Sequence, residues 1–450
     1  MPQQPNVISL KKGATISLRI EKLEPLGRGV GFYDGIPFFV EDCMPGDNVE
    51  VLITRWKKTF GEGLVSKLVE PSPDRIAPKC KHFGTCGGCR WQFLPYDKQL
   101  SWKEDMVRST LKHVGKFSDE EITSSGVDGG SLVRSIVGNN DPYFYRNKME
   151  WSFDGDRGGF HIRGKWHEVV NVEECFLQSE ASVEIFKVIR DFFKGNTPRS
   201  VIVREGKRTG EMMVVVMTCK TAFDYPSFVK ALAKFPKIVS IVHVETGIKR
   251  HFPEHVIFGP KFYREELHVR DAVLKFQIQA RAFFQPNTLM AEKIYEQVLD
   301  FAAPGKDDLV LDLFCGTGTI GLALSKFCSQ VVGIEVEPHA TASATENAKL
   351  NDVSNIRFET GFVENVLPKF EGRPSIIVVD PPRIGLPART LEDIIKFHPQ
   401  KIVYVSCNPA SFARDAAELK RNNYTLCTVQ PFDQFPQTAH IELVALFQCE

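Results

Sequence analysis

This 450-residue chain has no long apolar run and no excess of charge of either sign. Its longest apolar stretches, such as residues 212–217, fall far short of the roughly 20 residues a membrane helix needs. The opening MPQQPNVISLKK is polar and lacks the apolar centre of a secretory signal. The chain therefore reads as soluble and cytoplasmic, with no membrane partner. Lysine and arginine together number 56, as do aspartate and glutamate, so the net charge is zero. That excludes a protein held on nucleic acid by a global basic field and predicts modest salt dependence for any such binding. A local basic face remains compatible with it. The eleven cysteines are odd in number, which rules out a complete disulfide framework. What is present is ordinary for a globular chain, 43% apolar and 25% charged, at a length suited to about three domains.

Residues 9–70 read as short strands broken by turns. ATISLRIEKL alternates apolar and polar positions, Asp34-Gly35 is a strong hairpin signal, and Pro45-Gly46-Asp47 leads into NVEVLITRW. Several short strands without a helical period predict an OB-like barrel. Arg55, Lys57 and Lys58 flank Trp56 and suit either an RNA-contacting strand end or a structural cap. PSPDRIAP reads as a linker. Residues 71–262 form a mixed α+β stretch, with helical periodicity in WQFLPYDKQLSWKEDMVRSTLKHVG, ASVEIFKVIRDFFKG and FVKALAKF, and strands in SVIVREG, EMMVVVMT and IVSIVHVET. Over residues 263–450, LVLDLF, VVGIE, IRFE, SIIVVD, KIVYVS and ELVALF alternate with helical stretches. Strands that are continuous apolar runs are buried on both faces, so the C-terminal third is predicted to be a doubly wound α/β domain.

Gly316, Gly318 and Gly321 match G-x-G-x-x-G between a strand and a helix, and Glu335 ends the next strand where a ribose hydroxyl would bind. The pattern suits an adenosine-containing ligand, either NAD or S-adenosylmethionine. Asp312 on the strand itself suits a cationic ligand better than a pyrophosphate, and Asp380-Pro381-Pro382-Arg383 makes a rigid ledge at a strand end. Both favour S-adenosylmethionine. Arg383 stands where methyltransferases acting on exocyclic amines often carry an aromatic residue. KIVYVS delivers Cys407 to the same edge, where it is either a small residue closing a strand or a nucleophile. A nucleophile makes sense if the acceptor is C5 of a pyrimidine, because addition at C6 creates the enolate that C5 needs. The C5 proton must then leave to a base, for which Glu442 in His440-Ile441-Glu442 is the best candidate. Cys315 is a rival nucleophile.

Cys80, Cys86 and Cys89 crowd one glycine-rich segment as C-x5-C-x2-C, which in a reducing compartment points to a metal site of zinc or iron–sulfur type. Residues 143–166 interleave Arg146, Lys148, Arg157, Arg163 and Lys165 with Tyr145, Trp151, Phe153, Phe160 and Trp166. That pattern suits single-stranded RNA, with cations on phosphates and aromatics on splayed bases. It equally suits strands with a buried aromatic face and a solvated basic one.

DLFCGTGTIGL, DPPR, VSCNP and the late His-Ile-Glu, in this order, resemble the RNA uracil-5 methyltransferases, and most closely their iron–sulfur branch, which methylates 23S ribosomal RNA. YRNKMEWSF and GFHIRGKWHEVVNVEECFL are similar to the same branch, and residues 9–70 resemble its TRAM domain, an RNA-binding barrel. The resemblance implies that Cys407 is the nucleophile and Glu442 the base. It implies that Gln285, Phe314, Thr319, Glu335 and Asp380 bind S-adenosylmethionine. It also makes Cys175 the fourth ligand, with Cys80, Cys86 and Cys89, of a 4Fe–4S cluster that serves folding and RNA contact. Thr319 stands where many relatives carry asparagine, and Phe362 where an acid or amide commonly meets the adenine. The expected partner is RNA, ribosomal first and transfer RNA second, acted on by a monomer. The competing readings are a nicotinamide-dependent oxidoreductase and a catalytically inactive RNA-binding iron–sulfur protein.

Overall fold

The computed structural model describes residues 10–25, 27–124, 130–196, 198–219, 223–247 and 252–449. Residues 9 and 450, the outer limits of the expected first and third domains, lie outside these, as do the first eight positions of the polar start.

Strands β1 (Thr15–Leu23), β2 (Gly29–Tyr33), β3 (Ile36–Glu41), β4 (Asn48–Lys57) and β5 (Phe60–Glu70) close into a barrel in the order β1-β2-β3-β5-β4. Alternation does the sorting: Ile16, Leu18 and Ile20 of β1 meet Val49, Val51 and Ile53 of β4 inside. Asp34 and Gly35 both take positive φ (49° and 78°), turning Tyr33 back onto Ile36. Trp56 stacks on Phe38 with centroids 5.6 Å apart, which makes it barrel wall more than free stacking face. PSPDRIAP is no free linker. The fully buried Asp47 carboxylate accepts the Ser72 N–H (2.8 Å) and the Arg75 guanidinium (2.7 Å), which clamps the segment to the barrel.

Helices α1 (Tyr96–His113) and α2 (Asp119–Thr123) follow. The central sheet comprises β6 (Lys148–Asp154), β7 (Arg157–Ile162), β8 (Lys165–Asn171), β9 (Ser200–Glu205), β10 (Met212–Thr218), β11 (Ile238–Glu245) and β12 (Glu254–Phe258), in the order β12-β11-β10-β9-β6-β7-β8. Its helices are α3 (Glu180–Phe192) and α4 (Tyr225–Leu232). Trp151 is fully buried, stacked on Phe186 at 3.9 Å and Phe160 at 4.6 Å. A hairpin, β13 (Phe262–Val269) with β14 (Ala272–Gln279), then joins the sheet to the α/β core.

The C-terminal unit is the doubly wound α/β fold expected. Its elements are α5 (Thr288–Ala302), β15 (Leu309–Leu313), α6 (Thr319–Leu324), β16 (Gln330–Glu335), α7 (Pro338–Leu350), β17 (Ile356–Thr360), α8 (Val363–Val366), β18 (Ile376–Val379), α9 (Ala388–Lys396), β19 (Lys401–Ser406), α10 (Pro409–Arg421), β20 (Tyr424–Phe432) and β21 (Glu442–Cys449). The sheet order is β17-β16-β15-β18-β19-β21-β20, parallel up to β19, with β21 antiparallel to both neighbours. Strand β20 was not among the expected runs because Thr428, Gln430 and Pro431 interrupt its apolar pattern, although it is buried nearly throughout. Helix α1 belongs to this unit by packing: Val107 and Leu111 share a core with Phe412, Ala413 and Ala416 of α10. Its Lys103 is fully buried against Asp433 (2.5 Å). Among the described residues no helix is long and apolar enough to cross a membrane.

Candidate active site

Open α/β sheets bind ligands beyond the carboxyl ends of their parallel strands. β15, β18 and β19 end level with one another, Leu313 pairing with Val379 and Val379 with Tyr404. β21 runs the other way and pairs Leu443 with Ser406, and this antiparallel register sets Glu442 beside Cys407. One cavity of about 1600 Å³ opens at this edge, and Cys407, Glu442, Gln285, Phe314, Thr319, Glu335 and Asp380 all line it, with Cys315. The two residues expected to be catalytic and the five expected from the resemblance to bind the cofactor thus line one cavity.

The glycine loop forms one end. Phe314 (φ 64°), Gly316 (55°) and Gly318 (77°) wrap the chain tightly into α6. Glu335 accepts the Gly316 N–H at 3.1 Å and the Glu337 N–H at 2.9 Å, so its carboxylate is held at the rim. Asp312 departs from expectation. It does not line the cavity but sits fully buried beneath the loop, accepting the Gly321 N–H at 2.8 Å, and burial pushes its pKa up to about 8. Its role is to brace the start of α6. The Thr319 hydroxyl donates to the buried Tyr295 hydroxyl at 3.0 Å. Gln285 is clamped at both ends: its side-chain oxygen accepts from Gln434 (3.0 Å) and its backbone carbonyl from Asn147 (2.7 Å). Phe362 stands exposed at the lip.

The other end carries the reactive groups. Burial pushes the Cys407 thiol up to about 11, and the Glu442 and Asp380 carboxylates push the same way, while the Arg383 guanidinium pulls it back. Glu442, only 3% exposed, is held well above the usual carboxylate range by burial and then by Asp380. Burial raises Asp380 to about 7. Arg383 also donates to His440 Nδ1 at 3.1 Å, and burial followed by this cation depresses His440 to about 4, leaving a neutral acceptor. The Arg383 carbonyl accepts from Asn408 Nδ2 (2.8 Å) and Ser411 Oγ (3.1 Å) at the start of α10, whose N-terminal dipole favours a thiolate on the preceding Cys407. Two neighbouring buried carboxyl groups suit a cationic ligand such as a sulfonium, whose charge would favour their ionised forms. Sequence reasoning noted Arg383 only for not being aromatic, and it missed Tyr295 and Gln434. Nothing in the linear pattern marks those two, because only packing joins them to the site.

The cysteines meet elsewhere. Cys80, Cys86, Cys89 and Cys175 line a second cavity of about 610 Å³ between the 80–89 loop and β7. All four are free thiols. Burial raises each, Cys86 to about 11 and Cys89 to about 12, and the Cys175 sulfur pushes the other three the same way. Among the described residues no three His, Cys, Asp or Glu side chains converge on a position for a single metal ion. Four thiols around one cavity are a donor set of the kind that zinc or an iron–sulfur cluster takes.

The basic and aromatic stretch divides as its strand period dictates. Trp151 and Tyr145 are core, and Arg163 is engaged by Asp42 and by the Cys89 carbonyl. Trp166 is 83% exposed, whereas Phe153 and Phe160 pack partly against the core.

The fold agrees with what the chain is similar to. A family model described as tRNA (Uracil-5-)-methyltransferase matches residues 210–449, and one for the TRAM domain matches residues 10–65. A Halalkalibacterium halodurans protein named as an uncharacterized RNA methyltransferase is 34% identical over 465 residues, covering 98% of each chain. An Enterococcus faecalis protein of the same description is 36% identical over 463 residues, covering 97% of this chain and 98% of its own. Among solved structures, the Pyrococcus abyssi tRNA (uracil-54, C5)-methyltransferase in complex with S-adenosyl-L-homocysteine aligns with a TM-score of 0.74 at 28% identity, covering 96% of this chain and 99% of its own.

Proposed function

The chain belongs to the tRNA (uracil-5-)-methyltransferase family, with an N-terminal TRAM domain, and from that premise we propose that it methylates C5 of a uridine in RNA with Cys407 as nucleophile and Glu442 as base. S-adenosylmethionine-dependent methylation of RNA comes with the family. The observation that carries the finer reading is the register of β19 against β21, which puts a thiol and a buried carboxyl side by side in the cavity.

When bound, S-adenosylmethionine supplies an electrophilic methyl group, and Gln285, Phe314, Thr319, Glu335 and Asp380 are the residues that would hold it. The target uridine leaves its stack to enter the cavity. Cys407 loses its proton to water and its sulfur adds to C6, turning C5 into the nucleophilic carbon of an enolate. Once C5 carries the methyl group, Glu442 removes the C5 proton, the C5–C6 double bond re-forms, and the Cys407 thiolate leaves. Arg383 favours the thiolate at both ends of the cycle. Burial raises the affinity of Glu442 for a proton, which suits it to the role of base.

Cys80, Cys86, Cys89 and Cys175 hold a 4Fe–4S cluster in this reading, which ties the 80–89 loop to the central sheet and takes no part in the methylation. Iron and sulfide analysis after anaerobic purification tests it, and stoichiometric zinc would refute it. Ribosomal RNA is the substrate proposed, supported by the barrel combined with the four-thiol cavity. A second reading, transfer RNA, is favoured by the likeness to the archaeal tRNA enzyme. The deciding assay supplies labelled S-adenosylmethionine with ribosomal and transfer RNA from a strain lacking the protein. Wild type labels one of them at uridine C5, and Cys407→Ala labels neither. Full activity in that variant would overturn the nucleophile. A covalent adduct with 5-fluorouridine RNA that is absent in Cys407→Ala supports it.

A further inference from the structure

The catalytic cavity, at about 1600 Å³, exceeds the roughly 300–1,000 Å³ of ordinary small-molecule pockets. Its excess lies on the side of the central domain, where β6 supplies the wall. Strand alternation decides which residues face it: Met149 and Trp151 point into the core, so Lys148 and Glu150 point out, continuing the line begun by Arg146 just before the strand. Arg146 and Glu150 line both the catalytic cavity and the cysteine-lined one, so this strand face is a wall common to the two.

The two cations on that wall are incompletely matched: Glu150 acts on Lys148 and the Cys175 thiol on Arg146, but neither is an ion-pair partner. Among the described residues neither Arg146 nor Lys148 takes part in an ion pair, and the buried Arg146 Nε has no hydrogen-bond partner. Elsewhere in the cavity wall Arg281 is paired with Glu254 (3.8 Å), and the Glu150 carboxylate accepts from the Ser200 hydroxyl (2.8 Å). Lys148 is further crowded by Arg204, a fully buried guanidinium that donates to the Ala282 carbonyl (2.6 Å). Burial first and then Arg204 lower Lys148 to about 8, with Glu150 pulling it back and Arg146 adding a smaller push. Cations kept together without an ion-pair partner are costly unless an anion arrives.

We infer that Arg146 and Lys148 form a subsite for a backbone phosphate of the substrate RNA, next to the nucleotide presented to Cys407. An arginine fork beside a lysine point charge is a recurrent phosphate pairing, and such contacts fix register without reading sequence. The inference rests on the RNA-methyltransferase reading and adds to it the element that positions the strand. Because the net charge is zero, few phosphate contacts carry the binding, and the loss of one is visible.

The test uses full-length protein and oligouridylate as probe. Lys148→Met is expected to bind it about 10-fold more weakly, the scale of one lost charge-assisted contact, with the slope of log affinity against log salt reduced by about 0.7. S-adenosylhomocysteine affinity is expected to stay unchanged, and Lys148→Arg to restore the slope. Wild-type affinity and slope in Lys148→Met would overturn the subsite. Should Lys148→Met lose S-adenosylhomocysteine binding, wild-type protein is titrated with oligouridylates carrying one methylphosphonate at successive positions. A single position that weakens binding supports the subsite, and equal binding at every position refutes it. Absence of methyl transfer to uridine by wild type would instead refute the catalytic reading, and it leaves the salt slope as a separate result.

Discussion

Replacing Glu442 with glutamine is expected to abolish turnover and yet make Cys407 a more reactive thiol. Burial together with the Glu442 and Asp380 carboxylates pushes Cys407 up to about 11. Only the thiolate is alkylated, so at pH 7.5 roughly 3 in 10,000 copies are reactive, against roughly a tenth for an unperturbed cysteine near pKa 8.5. Removing one neighbouring carboxylate lowers a pKa by roughly one to two units, which raises the thiolate fraction about 10- to 100-fold. Intrinsic nucleophilicity falls with pKa (Brønsted slope about 0.4–0.5), so the net acceleration is about 3- to 10-fold. The assay is iodoacetamide labelling at pH 7.5 without RNA but with saturating S-adenosylmethionine, whose positive charge favours the ionised carboxylates, read by mass analysis of the Cys407 peptide. Arg383→Met is the opposite control, expected to slow labelling because it removes the cation that favours the thiolate. If Glu442→Gln labels no faster than wild type while binding S-adenosylhomocysteine normally, Glu442 does not act on the Cys407 thiol and the electrostatic account of the site fails.

Three further outcomes follow from the same geometry. With unmodified substrate RNA, Glu442→Gln is expected to accumulate a denaturant-stable covalent complex, because the methylated adduct cannot lose its C5 proton, and clean turnover on a gel assay would exclude Glu442 as the base. Lys103→Met strands the Asp433 carboxylate in a fully buried site and is expected to cost about 3–5 kcal/mol in denaturant unfolding; the double variant with Asp433→Asn is expected to recover much of this, and a loss equal to that of the single variant would contradict the charge argument. Asp312, whose folded pKa of about 8 lies above its unfolded value near 3.9, contributes stability that is present below about pH 4 and lost as pH rises through about 8. Wild type is therefore expected to lose stability between pH 5 and 9, Asp312→Asn to lose less, and identical pH profiles would show that this carboxyl does not titrate there.

Much of this was legible because it is written locally. Apolar runs of the right length marked five parallel strands and the final antiparallel one, and the Asp34-Gly35 dipeptide marked its hairpin. The glycine spacing and the acid that follows it put Glu335 at the cavity rim, and strand-terminal Asp380 and Cys407 reached the same edge because parallel strands end on one side of a sheet. Local patterns failed where packing overrode them. β20 hides behind its own polar residues, Asp312 points under its loop instead of into the cavity, and a three-proline segment that reads as a linker is clamped by Asp47.

The sequence by itself therefore determined the layers of the fold, the glycine loop with its acid, and the identity of the nucleophile candidate, since each depends on residue type and short-range spacing. Only the tertiary structure decided how these act together. The antiparallel return of β21 brings Glu442 to Cys407, Arg383 becomes a cation acting on both, and β6 turns two cations that have no ion pair among the described residues towards the same cavity. These are relations between residues far apart in the chain, and burial sets their strength: a carboxyl, a thiol and a guanidinium interact weakly in water and strongly once packing has removed it.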